Sequence, residues 1–84
     1  MNTKVNNLVD AHIGGRMRAR REALRLKPAW LAARLGVAEH TILAYERGQA
    51  RISAAMLAQL CAALETTLAY FFDDLPPAGP AWVH

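Results

Sequence analysis

Residues 28–47, PAWLAARLGVAEHTILAYER, decide the fold. They divide into a short helix over 28–35, a glycine-containing turn and a further helix over about 39–47. Leu31, Ala32, Leu35, Val37, Ile42 and Tyr45 fall where they would lock the two helices together. Pro28 suits a first helical position, where its missing N–H is harmless. Gly36 is the stop, where a positive φ is needed, and Val37 plugs the turn. Ile42 and Tyr45 face inward, which leaves Glu39, His40, Leu43, Ala44 and Arg47 outside. Trp30 lies on another face and reads equally as a surface packing residue or as part of a contact surface. A hairpin of this size cannot bury enough surface to fold alone, so the remaining chain reads as its support.

Upstream, residues 1–9 are polar with little periodicity and read as a mobile tail. Asp10 is the predicted N-cap of a first helix that runs to about Leu24, with Ile13, Met17 and Leu24 as its buried stripe. Gly14 and Gly15 weaken that helix locally. Arg16, Arg18, Arg20, Arg21, Arg25 and Lys27 crowd its second half. At ~100° per residue Arg18 and Arg25 point away from the stripe. Arg20 and Arg21 fall near its core-facing edge, where a charge needs a partner because an unpaired buried one is expensive. Lys27-Pro28 then breaks the helix.

Downstream, Gly48 ends the third helix and Gln49-Ala50-Arg51 form a loop. Ser53 is the cap of a fourth helix that reaches about Leu64 through Met56, Leu57, Leu60 and Cys61. Thr66 or Thr67 caps a short fifth helix containing Leu68, Tyr70, Phe71 and Phe72. So short a helix cannot bury three adjacent aromatic rings; Phe71 is expected in the core and Tyr70 outside. Residues 73–84, DDLPPAGPAWVH, hold every proline except Pro28 and read as an extended end. The expected organisation is a tail over 1–9, a domain over 10–74 and a Pro-rich tail over 75–84. Five short helices with no strand pattern make a compact all-α fold.

Composition narrows the function. Of 84 residues 54% are apolar, enough for one small core. The single cysteine, Cys61, excludes an internal disulfide and fits a reducing compartment; its place on the fourth helix's apolar face makes it a core residue. All 10 Lys and Arg lie at or before Arg51, whereas only Glu65, Asp73 and Asp74 carry charge beyond it. That polarity suggests a polyanion-binding face, although a charge run by itself more often marks a solvated helix. No signal peptide is legible at the start, and no run approaches the ~20 apolar residues that cross a bilayer. A cytoplasmic protein is expected. His12, His40 and His84 are scattered without ligand spacing, Ser53 has no partner base and no glycine-rich phosphate loop exists. Neither an enzyme nor a metal or other cofactor is expected.

With these elements in place the chain resembles a lambda-repressor/Cro-like domain of the XRE helix-turn-helix type, over roughly Asp10 to Asp74. Ile13-Gly14-x-Arg16-Met17-Arg18 opens the first helix as in that family. Leu31-Ala32-x-x-Leu35-Gly36-Val37 and Ile42-x-x-Tyr45-Glu46-x-Gly48 match the two helices of the motif. Leu57-x-x-Leu60-x-x-x-Leu64 and Leu68-x-x-Phe71-Phe72 close the domain. The wording VDAHIGGRMRARR, YERGQARISAAML and YFFDDL is similar to repressors common in alphaproteobacteria.

The resemblance implies a regulator that binds double-stranded DNA, as a homodimer because one such module reads a half-site. Base-edge contacts would fall on Ala38, Glu39, His40, Thr41 and Ala44. Phosphates would be held by Lys27, Arg21, Arg47 and Arg51. Arg21 also matches an arginine that the family pairs with a glutamate, here Glu46. Tyr70 and Phe72 are the candidate dimer interface. With no ligand domain in view, control would come from concentration, partners or DNA occupancy. The outer face departs from the family: Pro28 replaces a phosphate-binding polar residue, and Glu39, Leu43 and Ala44 stand where relatives often have longer polar or basic side chains. Two other readings stay open. One is an antitoxin of the same fold, with the C-terminal segment around Trp82 as a protein-binding element. The other is an interaction module whose DNA reading has decayed.

Overall fold

Met17, Leu31, Ile42, Leu60, Leu64 and Phe71 have no measurable solvent exposure, and among the described residues each of five helices supplies at least one of them. The structure is a computed structural model that describes residues 7–74. Its helices are α1 (Asn7–Ala23), α2 (Pro28–Leu35), α3 (Glu39–Glu46), α4 (Ala54–Ala63) and α5 (Leu68–Phe72). No strand occurs among the described residues. The all-α, five-helix expectation is met. α3 packs on both α1 and α2, while α5 bridges α1 and α4. The helices α2 to α5 are too short to persist alone, so the shared core is what makes them helical.

Local chemistry sets the boundaries. Ser53 accepts a hydrogen bond from the Met56 amide at 3.1 Å, and Thr67 accepts from the Tyr70 amide at 3.3 Å, capping α4 and α5. Four helices end through the same left-handed turn. After α2 the turn residue is Gly36 (φ 72°), and after α3 it is Gly48 (φ 73°). After α1 and α4 the same position holds Arg25 (φ 60°) and Glu65 (φ 54°). In each case the following amide reaches back to a carbonyl five residues earlier: Leu26 to Arg21 at 3.0 Å, Val37 to Ala32 at 3.0 Å, Gln49 to Ala44 at 2.9 Å and Thr66 to Cys61 at 3.0 Å. α1 therefore stops at Ala23, before Lys27-Pro28 can act on it. No glycine marks that stop, which falls within a residue of the expected end near Leu24.

Two expectations for α1 need correction. The helix begins at Asn7, so Asp10 is inside its first turn and is not the cap. The acid still sits at the positive end of the helix, where its largely buried carboxylate lies 3.7 Å from Arg51 Nε. Residues 7–9 are correspondingly helical; residues 1–6 and 75–84 of the expected tails lie outside the described residues. Gly14 is the second correction, because it does more than weaken the helix. A Cβ at Gly14 would overlap the Tyr45 carbonyl oxygen and stand 2.8 Å from that of Glu46. A Cβ at Gly48 would stand 2.7 Å from the Ala11 Cα. α1 thus rests on the end of α3 backbone to backbone, at a distance that only hydrogen permits.

Gly14→Ala should destabilise the protein by about 2 kcal/mol or more, through overpacking against backbone that cannot yield. Gly15 has nothing within 4 Å of its missing Cβ, so Gly15→Ala should stabilise by about 0.5–1 kcal/mol. Urea unfolding of both variants measures the contrast; equal effects would contradict the close crossing. Glu65→Gly should relieve a left-handed side chain and raise stability by about 0.5–1 kcal/mol in the same assay.

Candidate nucleic-acid interface

The outward part of the α2–α3 pair begins at Ala38, the N-cap of α3, whose extended backbone (φ −76°, ψ 153°) carries no capping side chain. Ala38, Glu39 and His40 are exposed, Thr41, Leu43 and Ala44 are half-buried, and Ile42 is sealed in the core. Glu39 lies in the first turn, where the helix dipole favours an acid. Leu43 and Ala44, expected outside, are partly covered. The structure therefore presents the N-terminal side of α3 as its open face, the region in which the base-contacting expectations lie.

Arg21 holds that face to the rest of the molecule. Its Nε donates to Glu46 Oε2 at 2.7 Å and one terminal nitrogen donates to Glu46 Oε1 at 3.1 Å. The other terminal nitrogen donates to the Leu26 carbonyl at 2.7 Å. The two side chains are 8% and 4% exposed. The hydrogen bond to Glu46 raises the Arg21 pKa above its ordinary value, against the opposing effect of burial. This fork joins α1, the connection to α2 and the last residue of α3. The expected Arg21–Glu46 pair is present; with all three nitrogens engaged inside the protein and the side chain 8% exposed, Arg21 shows little guanidinium to a phosphate, against the expectation that it would also hold one.

Two further arginines are also engaged within the protein. Arg20 Nε donates to the Leu64 carbonyl at 2.8 Å and its terminal nitrogen to the Glu65 carbonyl at 2.9 Å, so it closes the C-terminal end of α4. Arg16 Nε donates to the Tyr70 carbonyl at 2.8 Å, while the Tyr70 hydroxyl donates to the Arg16 carbonyl at 2.8 Å. The Arg16 guanidinium also lies 4.0 Å from the centre of the Tyr70 ring. Tyr70 is consequently tied into its own chain and half-buried, not outside as expected. Phe72 is the exposed aromatic of α5, at 40%, and Phe71 is in the core. The near-core placement of Arg20 was the available clue; nothing local pointed to the reciprocal Arg16–Tyr70 pair.

The remaining candidate cations are accessible. Lys27 is the exposed N-cap residue of α2 in extended backbone. Arg47 is the exposed C-cap of α3. Arg51 is exposed in the following loop, with only the long contact to Asp10. Trp30 is exposed at 44%, with the Arg34 guanidinium 5.7 Å from its ring centre. Among the described residues no cluster of His, Cys, Asp and Glu could hold a metal, and no helix is long and apolar enough to cross a membrane. Cys61 is half-buried rather than sealed in the core, and burial pushes its thiol pKa up, which disfavours the nucleophilic thiolate.

A family model described as a helix-turn-helix domain matches residues 12–69, a span that includes all of α2, α3 and α4. The chain is 46% identical over 78 residues to a protein named an uncharacterized transcriptional regulator in the ATPase CF(0) region of Rhodospirillum rubrum, across 93% of this chain and 72% of that one. It is 39% identical over 70 residues to an HTH-type transcriptional regulator, y4aM, of Sinorhizobium fredii, across 83% of this chain and 49% of that one. It thus spans about half the length of the second relative. Among solved structures it resembles the restriction-modification controller protein C.AhdI from Aeromonas hydrophila, with a TM-score of 0.71 and 28% identity, across 75% of this chain and 96% of that one.

Removing one partner of a buried ion pair leaves the other charge desolvated. Glu46→Ala should therefore cost about 3–5 kcal/mol, and the apolar double replacement Arg21→Met with Glu46→Leu should recover most of it. Thermal unfolding of the single and double variants measures this. A Glu46→Ala protein as stable as the parent would show that the fork does not hold α3.

Proposed function

Because this chain belongs to the helix-turn-helix family of DNA-binding transcriptional regulators, of the lambda-repressor/Cro-like type, we propose that it acts as a dimeric repressor that inserts α3 into the major groove. The observation that carries this reading is the pairing of an exposed N-terminal side of α3 with a rigid mounting behind it. Ala38, Glu39 and His40 are open to solvent, while Gly14 and the Arg21–Glu46 fork hold the other end of the helix. A reading helix needs that combination, since base edges are matched by direction as well as by chemistry.

In this reading Glu39 accepts from a cytosine amino group, His40 donates to a guanine acceptor, and the small side chains of Ala38 and Ala44 lie against thymine methyls. Thr41, half-buried one turn in, completes the contacting set. Lys27, Arg47 and Arg51 clamp phosphates and set the register without reading sequence. Arg21 supports the helix from inside. Phe72, with Leu68 exposed beside it at 53%, supplies the apolar part of the dimer face; Tyr70 contributes through its hold on α1. The relatives are named as transcriptional regulators, which gives the antitoxin reading no support. The protein works where its DNA is, in the cytoplasm.

Selection of bound fragments from the source genome, repeated with the variant His40→Ala plus Glu39→Ala, tests the reading. The parent should recover one two-fold symmetric motif, and the variant should lose about 1–3 kcal/mol of discrimination at the bases contacted. A variant that selects the parent's motif would show that α3 does not read the bases. Lys27→Ala, Arg47→Ala and Arg51→Ala should each lower the log–log salt slope of binding by about 0.9 while leaving the motif intact.

A further inference from the structure

Between α4 and α5 runs a groove of about 550 Å³ walled by Leu57, Ala58, Cys61, Leu68 and Phe72, with no charged residue in its lining. An adjoining hollow of about 370 Å³ shares Leu57 and Phe72 but is bordered by Asp10 and Arg51. Leu68 and Phe72 stay exposed because α5 spends Phe71 on the core and Tyr70 on Arg16. The groove is therefore an uncharged, apolar surface next to the point where the chain continues past Asp74.

We propose that residues 75–84 of the same chain, LPPAGPAWVH, occupy this groove with Trp82 against Leu68 and Phe72, and that they compete there with a second copy of the protein. The chemistry of the segment matches that of the wall. It contains no Asp, Glu, Lys or Arg, and it carries Leu75, Trp82 and Val83 as apolar groups. An indole brings about 150–250 Å² of surface to be covered. Pro76, Pro77 and Pro80 have no N–H to leave unpaired on an apolar wall, and they restrict the free segment so that less order is lost on docking. Asp73 and Asp74 are exposed and keep the junction in water.

Reach favours the chain's own segment over another molecule. Phe72 forms part of the wall and residue 75 follows three positions later. From there to Trp82 an extended chain spans up to about 25 Å, enough to enter the groove and turn at Ala78-Gly79. A tether this short supplies a local concentration in the millimolar range, above that of a second free copy. The segment would then hold the protein monomeric until its concentration, or DNA carrying two half-sites, displaces it. This consequence rests on the dimeric reading above, whereas the docking itself does not.

The chain has 2 tryptophans, Trp30 and Trp82, so Trp30→Phe in the full chain leaves Trp82 as the sole reporter. Its emission should be blue-shifted, and its acrylamide quenching about threefold weaker than that of free indole, at dilutions where sedimentation shows a monomer. Leu68→Asp should return both to the free value while circular dichroism shows the helices retained. Quenching equal to that of free indole would overturn the proposal, and so would protection that disappears on dilution together with the dimer, which would make a second copy the occupant. Trp82→Ala in the full chain should tighten self-association about tenfold; unchanged self-association would overturn the competition. Failure to select any operator would overturn the DNA reading and leave these fluorescence outcomes untouched.

Discussion

Arg21 and Glu46 are both charged and both withdrawn from water, and the mounting of α3 depends on their staying together. Desolvating two ions is repaid only when the geometry is good and the leftover donors are satisfied. Both conditions hold: the guanidinium meets the carboxylate through two nitrogens, and its third takes the Leu26 carbonyl. The pair spans α1 and α3, so any slide of one helix past the other would separate a charge from its partner in a dry setting. That gives the crossing a single register. A hydrophobic contact of similar area would tolerate small slips, because burial has no preferred direction.

The glycine contacts act on the same crossing from the backbone side. Gly14 lets α1 settle on the carbonyls that end α3, and Gly48 lets the following turn settle on Ala11. Two backbones this close leave no room for a side chain to repack. α3 is thereby fixed at its C-terminal end while its N-terminal side stays free. The basic half of the chain consequently divides into two populations. Arg16, Arg20 and Arg21 point at carbonyls and a carboxylate within the protein, whereas Lys27, Arg47 and Arg51 stay exposed. Both populations contribute to the long-range positive field, and the exposed Arg18, Arg25 and Arg34 add to it from solvent.

Much of this was legible in the chain alone. Pro28, Gly36, Gly48 and Ser53 mark their boundaries with local chemistry, and the positions of α2 to α5 follow from them. Within single helices the spacing of Ile13 with Met17, Leu31 with Leu35, and Leu57 with Leu60 identifies the inner side, since helical periodicity places such residues together whatever the neighbours are. The end of α1 was legible to within a residue, near Leu24 against Ala23; the turn that makes it was not, because Arg25 takes a left-handed conformation its side chain disfavours, held there by the bonds from Arg25 to Glu22 and from Leu26 to Arg21. The start of α1 was misread for a related reason: Asp10 has the chemistry of a cap, but the helix continues upstream of it to Asn7.

What the sequence determined by itself is the all-α class, the helix-turn-helix, its inner face and a basic N-terminal half. These follow from properties each residue carries into any context: apolarity, ring closure, a missing Cβ, charge. What only the tertiary structure decided is the use of residues whose partners are far away in the chain. Gly14 reads as a weak point until Tyr45 and Glu46 lie against it. Tyr70 reads as an outward aromatic until Arg16, 54 positions away, takes it up. Arg21 reads both as the partner of Glu46 and as a phosphate ligand, until all three of its nitrogens are seen engaged inside the protein. In each case the deciding term is a pairwise energy that exists only when two distant segments meet, and no local pattern encodes it.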